Sequence, residues 1–131
     1  QGFKQLPKSG DICIITKSMK DVMCLYEMGI PAVSPASEST FLSDNVLKAI
    51  LKRFKRVLIC FDRDIPGCKY LRKISLKTGL NGMLMPKRFN AKDISDAIKA
   101  NGFDKVKEYI YAEIEKEKKR GSCKECDSKH I

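Results

Sequence analysis

No apolar run in this chain approaches the roughly 20 residues needed to span a bilayer, and no N-terminal hydrophobic segment resembles a signal peptide. A membrane-spanning protein is therefore not expected. Acidic residues are scarce: 16 Asp plus Glu stand against 26 Lys plus Arg, a formal net charge of +10 on 131 residues. Such an excess favours a polyanionic partner, with nucleic acid the first candidate, although Coulomb attraction alone does not separate DNA, RNA and an anionic membrane. Histidine is nearly absent, and the single residue, His130, lies beside Cys123 and Cys126. A structural zinc site needs a fourth ligand, so zinc at Cys123, Cys126 and His130 is not expected. A disulfide framework is also disfavoured. Four of the six cysteines, Cys13, Cys24, Cys60 and Cys68, sit in or beside apolar runs such as ICII and LICF, which reads as buried thiols in a reducing, intracellular compartment.

What is present alternates between strand and helix. Residues 12–16, ICIIT, and Val57 through Phe61 are short apolar runs without polar alternation, the pattern of strands covered on both faces. Between them, Ser18 and Asp21 form an S-x-x-D box opening a helix that carries Val22, Leu25 and Tyr26 and stops at Gly29. A second strand, Ala32 to Pro35, leads to a helix from Ser43 or Asp44, with Val46, Leu47, Ile50, Leu51 and Phe54 on its apolar face. A turn at Ile65–Gly67 follows the third strand, then a helix through Tyr70, Leu71 and Ile74 closing at Gly79. The fourth strand is Gly82 to Met85, and further helices are expected over Ile94–Ala100 and Asp104 to about Lys119. Short connections between alternating elements predict an α/β, Rossmann-like fold: a mostly parallel four-stranded sheet flanked by helices. Sites in such sheets form beyond the carboxyl ends of the strands.

The residues just after the strands therefore carry the chemistry. Asp62 and Asp64 stand two apart where an apolar strand emerges, followed by Gly67. Paired carboxylates repel unless a cation lies between them, and their hard oxygens suit Mg²⁺ or Mn²⁺. After the fourth strand come Lys87 and Arg88, then Lys92, Asp93, Ile94, Ser95 and Asp96. Asp93 or Ser95 serves equally as a helix cap. Lys87, Arg88 and Lys92 make a basic track suited to phosphates, and the loop Ser34–Thr40 offers hydroxyls beside Glu38.

In order, ITKSMKDVMCLYEMGI, LICFDRDIPG and KDISDAIKANG resemble the Toprim domain of DnaG-type DNA primases, particularly its phage and primase-helicase versions. The likeness covers roughly residues 10 to 102. It implies an acidic cluster binding Mg²⁺ or Mn²⁺, with Asp62, Asp64, Asp93, Asp96 and Glu38 as the candidate ligands. Asp62 and Asp64 match the paired aspartates, Asp93 or Asp96 the later acidic position and Gly67 the trailing glycine, while Asp21 matches an acidic residue early in the first helix. One place departs from the pattern. The family usually carries a glutamate immediately after the first strand, where this chain has Lys17 and Ser18, and an ammonium cannot bind a cation. Three accounts follow: Lys17 grips a substrate phosphate while Asp62, Asp64 and a later aspartate hold metal; Glu38 supplies the missing oxygen; or catalysis has been lost.

The expected organisation is a lead-in at 1–11, the Toprim domain at 12–103, a helix at 104–120 and a flexible tail at 121–131. The resemblance implies a primase function, RNA primer synthesis in DNA replication by nucleotidyl transfer. Asp62, Asp64 and Lys17 would act in catalysis, and Lys17, Ser18, Lys87, Arg88 and Lys92 on phosphates or nucleic acid. Its partners would be single-stranded DNA, the RNA primer, nucleoside triphosphates and a replicative helicase or other domains of a longer primase, with no membrane, in the cytoplasm of a bacterium or phage-infected cell. The alternatives are a degenerate, non-catalytic nucleic-acid or partner-binding module and a small Toprim nuclease.

Overall fold

The computed structural model of the protein describes residues 6–35 and 42–130, and its side chains as far as Glu117. In chain order the elements are β1 (Gly10–Thr16), α1 (Met19–Glu27), β2 (Ala32–Val33), α2 (Asp44–Arg53), β3 (Phe54–Cys60), α3 (Ile65–Thr78), β4 (Asn81–Met83), a 3₁₀ turn (Lys87–Phe89), α4 (Ile94–Asn101) and α5 (Phe103–His130). The four strands pair in the order β2-β1-β3-β4, each pair parallel. The Rossmann-like α/β expectation holds.

Side-chain alternation along the strands divides the core. Ile14, Leu58 and Cys60 face a layer built from Val22 and Leu25 of α1, Ala97 of α4 and Val106, Ile110 and Ile114 of α5. Cys13, Ile15 and Val57 face Ile50 of α2, while Ile59 and Phe61 meet Ile74 of α3. The chain steps from β1 outward to β2, then back across β1 to β3. Right-handed crossovers in opposite directions require helices on opposite faces, as seen for α1 and α2. Val106, Ile110 and Ile114 lie one turn apart and are almost wholly buried. Each contributes about 1.5–3 kcal/mol, so α5 is part of the core although the sequence reading set it apart.

Several element bounds differ from the sequence reading. Phe54, assigned to the apolar face of α2, instead caps that helix and opens β3, three residues earlier than expected, where its ring covers Gly10. Leu51 is 45% exposed, because the apolar stripe of α2 is carried by Val46, Leu47 and Ile50. Ile65–Gly67 is not a free turn but the first turn of α3: Asp64 caps it, and Pro66 occupies a position whose N–H has no helical partner. Gly79 then ends α3 in the left-handed conformation. Strand β4 is short, and Arg63 takes the backbone carbonyl of Met85 that a longer strand would have paired. The backbone of α5 runs to His130, through the segment expected as a tail at 121–131; its Glu- and Lys-rich run has high helix propensity. Of the four cysteines expected to be buried, Cys13 and Cys60 are, whereas Cys24 is half-buried and Cys68 is exposed on α3. Burial pushes the Cys13 thiol up to about 12, keeping it protonated.

Candidate metal centre

The register sets Thr16 opposite Cys60, so the two central strands end level and the chain emerges from both at one point. This is the topological switch point, where the connections from β1 and β3 diverge to opposite faces. Asp62 leaves β3 here and is 5% exposed. Lys17 leaves β1, and its Nζ donates to Asp62 Oδ2 at 3.2 Å.

Asp21 arrives from the first turn of α1. Half of the predicted capping box forms: Ser18 Oγ accepts from the Asp21 backbone N–H at 3.4 Å. The Asp21 carboxylate does not return to its own helix. It accepts from the Ser95 N–H at 3.0 Å and from Thr16 Oγ1 at 3.3 Å, bridging to the N-terminus of α4. Asp93 caps that helix, its Oδ1 accepting from the Asp96 N–H at 2.8 Å and from Ser95 Oγ at 3.1 Å. The positive end of α4 offsets part of the cost of burying Asp21 and half-burying Asp93.

Three carboxylates consequently converge. One oxygen from each of Asp21, Asp62 and Asp93 lies within 4.8 Å of the other two. Burial pushes Asp21 up to about 6; its Ser95 hydrogen bond opposes this, and the nearby Asp93 and Asp62 charges add to it. Three ionised carboxylates and one ammonium leave a formal charge of −2 in this cluster. Oxygen donors of that number and charge fit one hard divalent cation, with Lys17 competing for Asp62.

Asp64 has a different place from its neighbour two residues earlier. Its Oδ1 accepts from the Gly67 N–H at 2.7 Å and caps α3, and it is not one of the three clustered carboxylates. Gly67 has a steric reason: a Cβ there would collide with the Asp62 carbonyl and lie 2.8 Å from Asp64 Oδ1. The glycine lets the start of α3 close over the Asp62 loop. Asp96 contributes its backbone N–H to the Asp93 cap and is likewise outside the cluster. Glu38 lies outside the described residues, as does the loop from residue 36 to 41.

The basic track divides in two. Lys87 and Lys92 line one pocket together with Arg63, Asn90 and Ala91. Arg88 turns away and stacks over the rings of Phe89 and Tyr109, 5.2 and 5.4 Å from their centroids. Ser18 is occupied as the cap of α1. The side chains of Cys123, Cys126 and His130 lie outside those described.

Residues 14–98 match a protein family described as Toprim-like. The chain belongs to that family. The Toprim match takes in the end of β1, all of β3, and Asp21, Asp62 and Asp93, and stops short of α5. No curated protein sequence matches the chain. Among solved structures, the primase fragment of the bacteriophage T7 primase-helicase protein superimposes with a TM-score of 0.53 at 18% identity, over 76% of this chain and 43% of that one. A structure of bacteriophage T7 lagging-strand DNA polymerase interacting with primase domains of two gp4 subunits, bound to an RNA/DNA hybrid and dTTP, matches with a TM-score of 0.52 at 18% identity, over 76% of this chain and 53% of that one. This Toprim chain therefore shares its fold with the phage primase fragment and spans about half the length of these structures. Among the described residues no helix is long and apolar enough to cross a membrane.

The sequence reading listed Asp62 and Asp93 as metal ligands but left Asp21 out of that set, treating it as a helix-box residue that matched the Toprim pattern. Its signal was available: an acidic residue one turn beyond the first strand at the switch point. Arg63 was missed, because a basic residue between two aspartates gives no indication of direction.

Proposed function

We propose that this chain is the Toprim domain of a phage-like DNA primase, contributing divalent-metal and nucleotide-phosphate binding to RNA primer synthesis. The observation that carries the reading is the convergence of Asp21, Asp62 and Asp93 from three chain segments at the carboxyl edge of a parallel sheet. A bound Mg²⁺ or Mn²⁺ would neutralise phosphate oxygens and lower the cost of charge developing in phosphoryl transfer.

The chain's own residues supply the rest. Asp62 and Asp93 present oxygens from rigid strand and helix ends, and Asp21 locks α1 to α4 while offering a third. Asp64 fixes the Asp62 loop through its cap, and Asp96 adds negative charge on the same edge. Lys17 holds Asp62 until a cation replaces it, and once released is positioned to meet a substrate phosphate as a point charge. Lys87 and Lys92 extend the polar edge toward nucleic acid, whereas Arg88, stacked on Phe89 and Tyr109, and Ser18, capping α1, are engaged elsewhere. Single-stranded DNA, the growing RNA and nucleoside triphosphates are the partners this predicts, with a helicase or further primase domains beside it.

Isothermal titration with Mn²⁺ tests the metal reading on the unaltered chain and on Asp62→Ala/Asp93→Ala. Binding confined to the unaltered chain supports it; no binding by either overturns it. A second reading has its own observation: a lysine stands where the Toprim pattern has glutamate, and it already pairs with Asp62. On that reading the domain binds nucleic acid without metal. It predicts salt-sensitive oligonucleotide binding that is indifferent to Mn²⁺ and to loss of the aspartates.

A further inference from the structure

Helix α3 carries two stripes. Tyr70, Leu71 and Ile74 face the sheet, where Ile74 is buried with Ile59 and Phe61 and Leu71 lies against Gly82. On the opposite side, Ile65, Lys69, Arg72 and Leu76 follow at intervals of four, three and four residues, the spacing that keeps side chains on one line of a helix. That line runs about 16 Å, roughly three turns.

Single exposed aliphatic residues are ordinary on a protein surface. These two are not scattered. Ile65 is 73% exposed and Leu76 81%, the highest values among the described large hydrophobic residues, and both lie on this one line. Helix propensity at an exposed position favours Lys, Glu or Gln over isoleucine, so neither local preference nor core packing accounts for Ile65.

The charge on the same helix has one sign. Lys69, Arg72, Lys73 and Lys77 lie on α3, which contains no Asp or Glu. Lys69, Lys73 and Lys77 stand four apart, an interval at which like charges destabilise a helix. Among the described residues none of these four cations has an acidic partner. Ile65, Lys69, Arg72, Lys73 and Leu76 line a shallow groove of about 690 Å³. The one acid on its wall, Asp64, is committed to the Gly67 N–H as the cap of α3.

An occupant of this groove has to supply apolar surface and negative charge together, over about three turns of helix. A second copy of the chain presenting the same face would set like charge against like. Nucleic acid supplies the charge, but its bases stack on aromatic side chains, and this groove has aliphatic ends. An amphipathic helix meets both needs: its aliphatic line packs on Ile65, Leu76 and the stems of Lys69 and Arg72, while Asp or Glu on its flanks meets the cationic heads.

We propose that the outer face of α3 is a docking surface for an acidic amphipathic helix of a partner protein. Asp21, Asp62 and Asp93 do not line the groove, and the inference does not rest on the metal reading. The probe is a fluorescein-labelled synthetic peptide of about 20 residues, long enough to hold a helix, with leucine at i, i+4, i+7 and i+11 and glutamate on both flanks. A second peptide keeps the glutamates and has glutamine for leucine. Fluorescence anisotropy at fixed ionic strength in EDTA measures both on the unaltered chain, on Ile65→Ser/Leu76→Ser and on Arg72→Glu/Lys73→Glu. Leu51→Ser and Lys48→Glu/Lys52→Glu on α2 are the matched controls. All the altered side chains are exposed, so the variants keep the fold, which far-UV circular dichroism verifies.

The leucine peptide should bind about tenfold or more tightly than the glutamine peptide, and each α3 variant should lose about tenfold or more of that affinity, with little change in the α2 controls. No binding of the leucine peptide, equal binding of the two peptides, or an equal loss in the α2 controls overturns the docking surface. A single-stranded oligonucleotide whose affinity falls in Arg72→Glu/Lys73→Glu, while peptide binding does not, would reassign the face to nucleic acid. A dimer of the unaltered chain in sedimentation that dissociates in Ile65→Ser/Leu76→Ser would reassign it to a second copy.

Discussion

Asp21→Asn should make the metal-free protein more stable while abolishing its response to metal. Asp21 is 2% exposed and its carboxyl is pushed from 3.8 up to about 6. The folded state therefore binds more protons than the unfolded state between these values. Stability falls as pH rises through that window, and the full penalty applies above pH 6. About two pH units correspond to roughly 3 kcal/mol, an upper figure because asparagine must also be buried. The substitution is conservative in its hydrogen bonds. The amide oxygen can still accept from Ser95 N–H, and the amide N–H₂ can donate to Thr16 Oγ1, whose hydroxyl rotates. At pH 7.5 in EDTA the variant should gain about 1–3 kcal/mol, or roughly 5–10 °C in Tm. Mn²⁺ at about 100 times Kd should add about 2.7 kcal/mol to the unaltered chain and little to the variant, so the order of stabilities narrows or reverses. Thermal unfolding from pH 4 to 8, with EDTA and with Mn²⁺, measures all of this. A variant less stable than the parent in EDTA at pH 7.5, or one with the same slope between pH 4 and 6, would refute the reasoning.

Other consequences can be checked with the same protein. Mn²⁺ affinity should fall as pH drops below about 6, because a proton on Asp21 competes with the cation; calorimetry at pH 5 and 7.5 reads the difference. Lys17→Met removes the ammonium from Asp62 and should tighten Mn²⁺ binding by about tenfold, whereas weaker binding would show that Lys17 supports the site rather than competing for it. Gly67→Ala should cost about 1–3 kcal/mol through overpacking against the Asp62 carbonyl and weaken Mn²⁺ binding, visible as a lower urea midpoint and a higher Kd. Peptide mapping after brief alkylation should find Cys68 modified well before Cys13 and Cys60, since only the first is exposed; simultaneous labelling would contradict the core described here.

Local chemistry and short-range periodicity determined a great deal of this protein. The apolar runs at 12–16 and 57–61, the Ser18 and Ser43 caps and the Gly79 stop each depend on residues within a turn of one another. The alternation they define leads to a parallel sheet with its site at the strand ends, where Asp62 lies. Tertiary structure decided which carboxylates meet. Asp62 and Asp64 are nearly adjacent in sequence, yet one turns into the cluster and the other caps α3, because the helix starting at Ile65 needs a cap and Gly67 brings it onto the Asp62 carbonyl. Asp21 and Asp93 are far apart in sequence and meet only because α1 and α4 pack on the same face of the sheet. The same packing sets Arg63 against Met85 and Lys92. Sequence spacing records distance along the chain, whereas a cation or a phosphate responds to distance through space, and the parallel register of β1 and β3 converts one into the other.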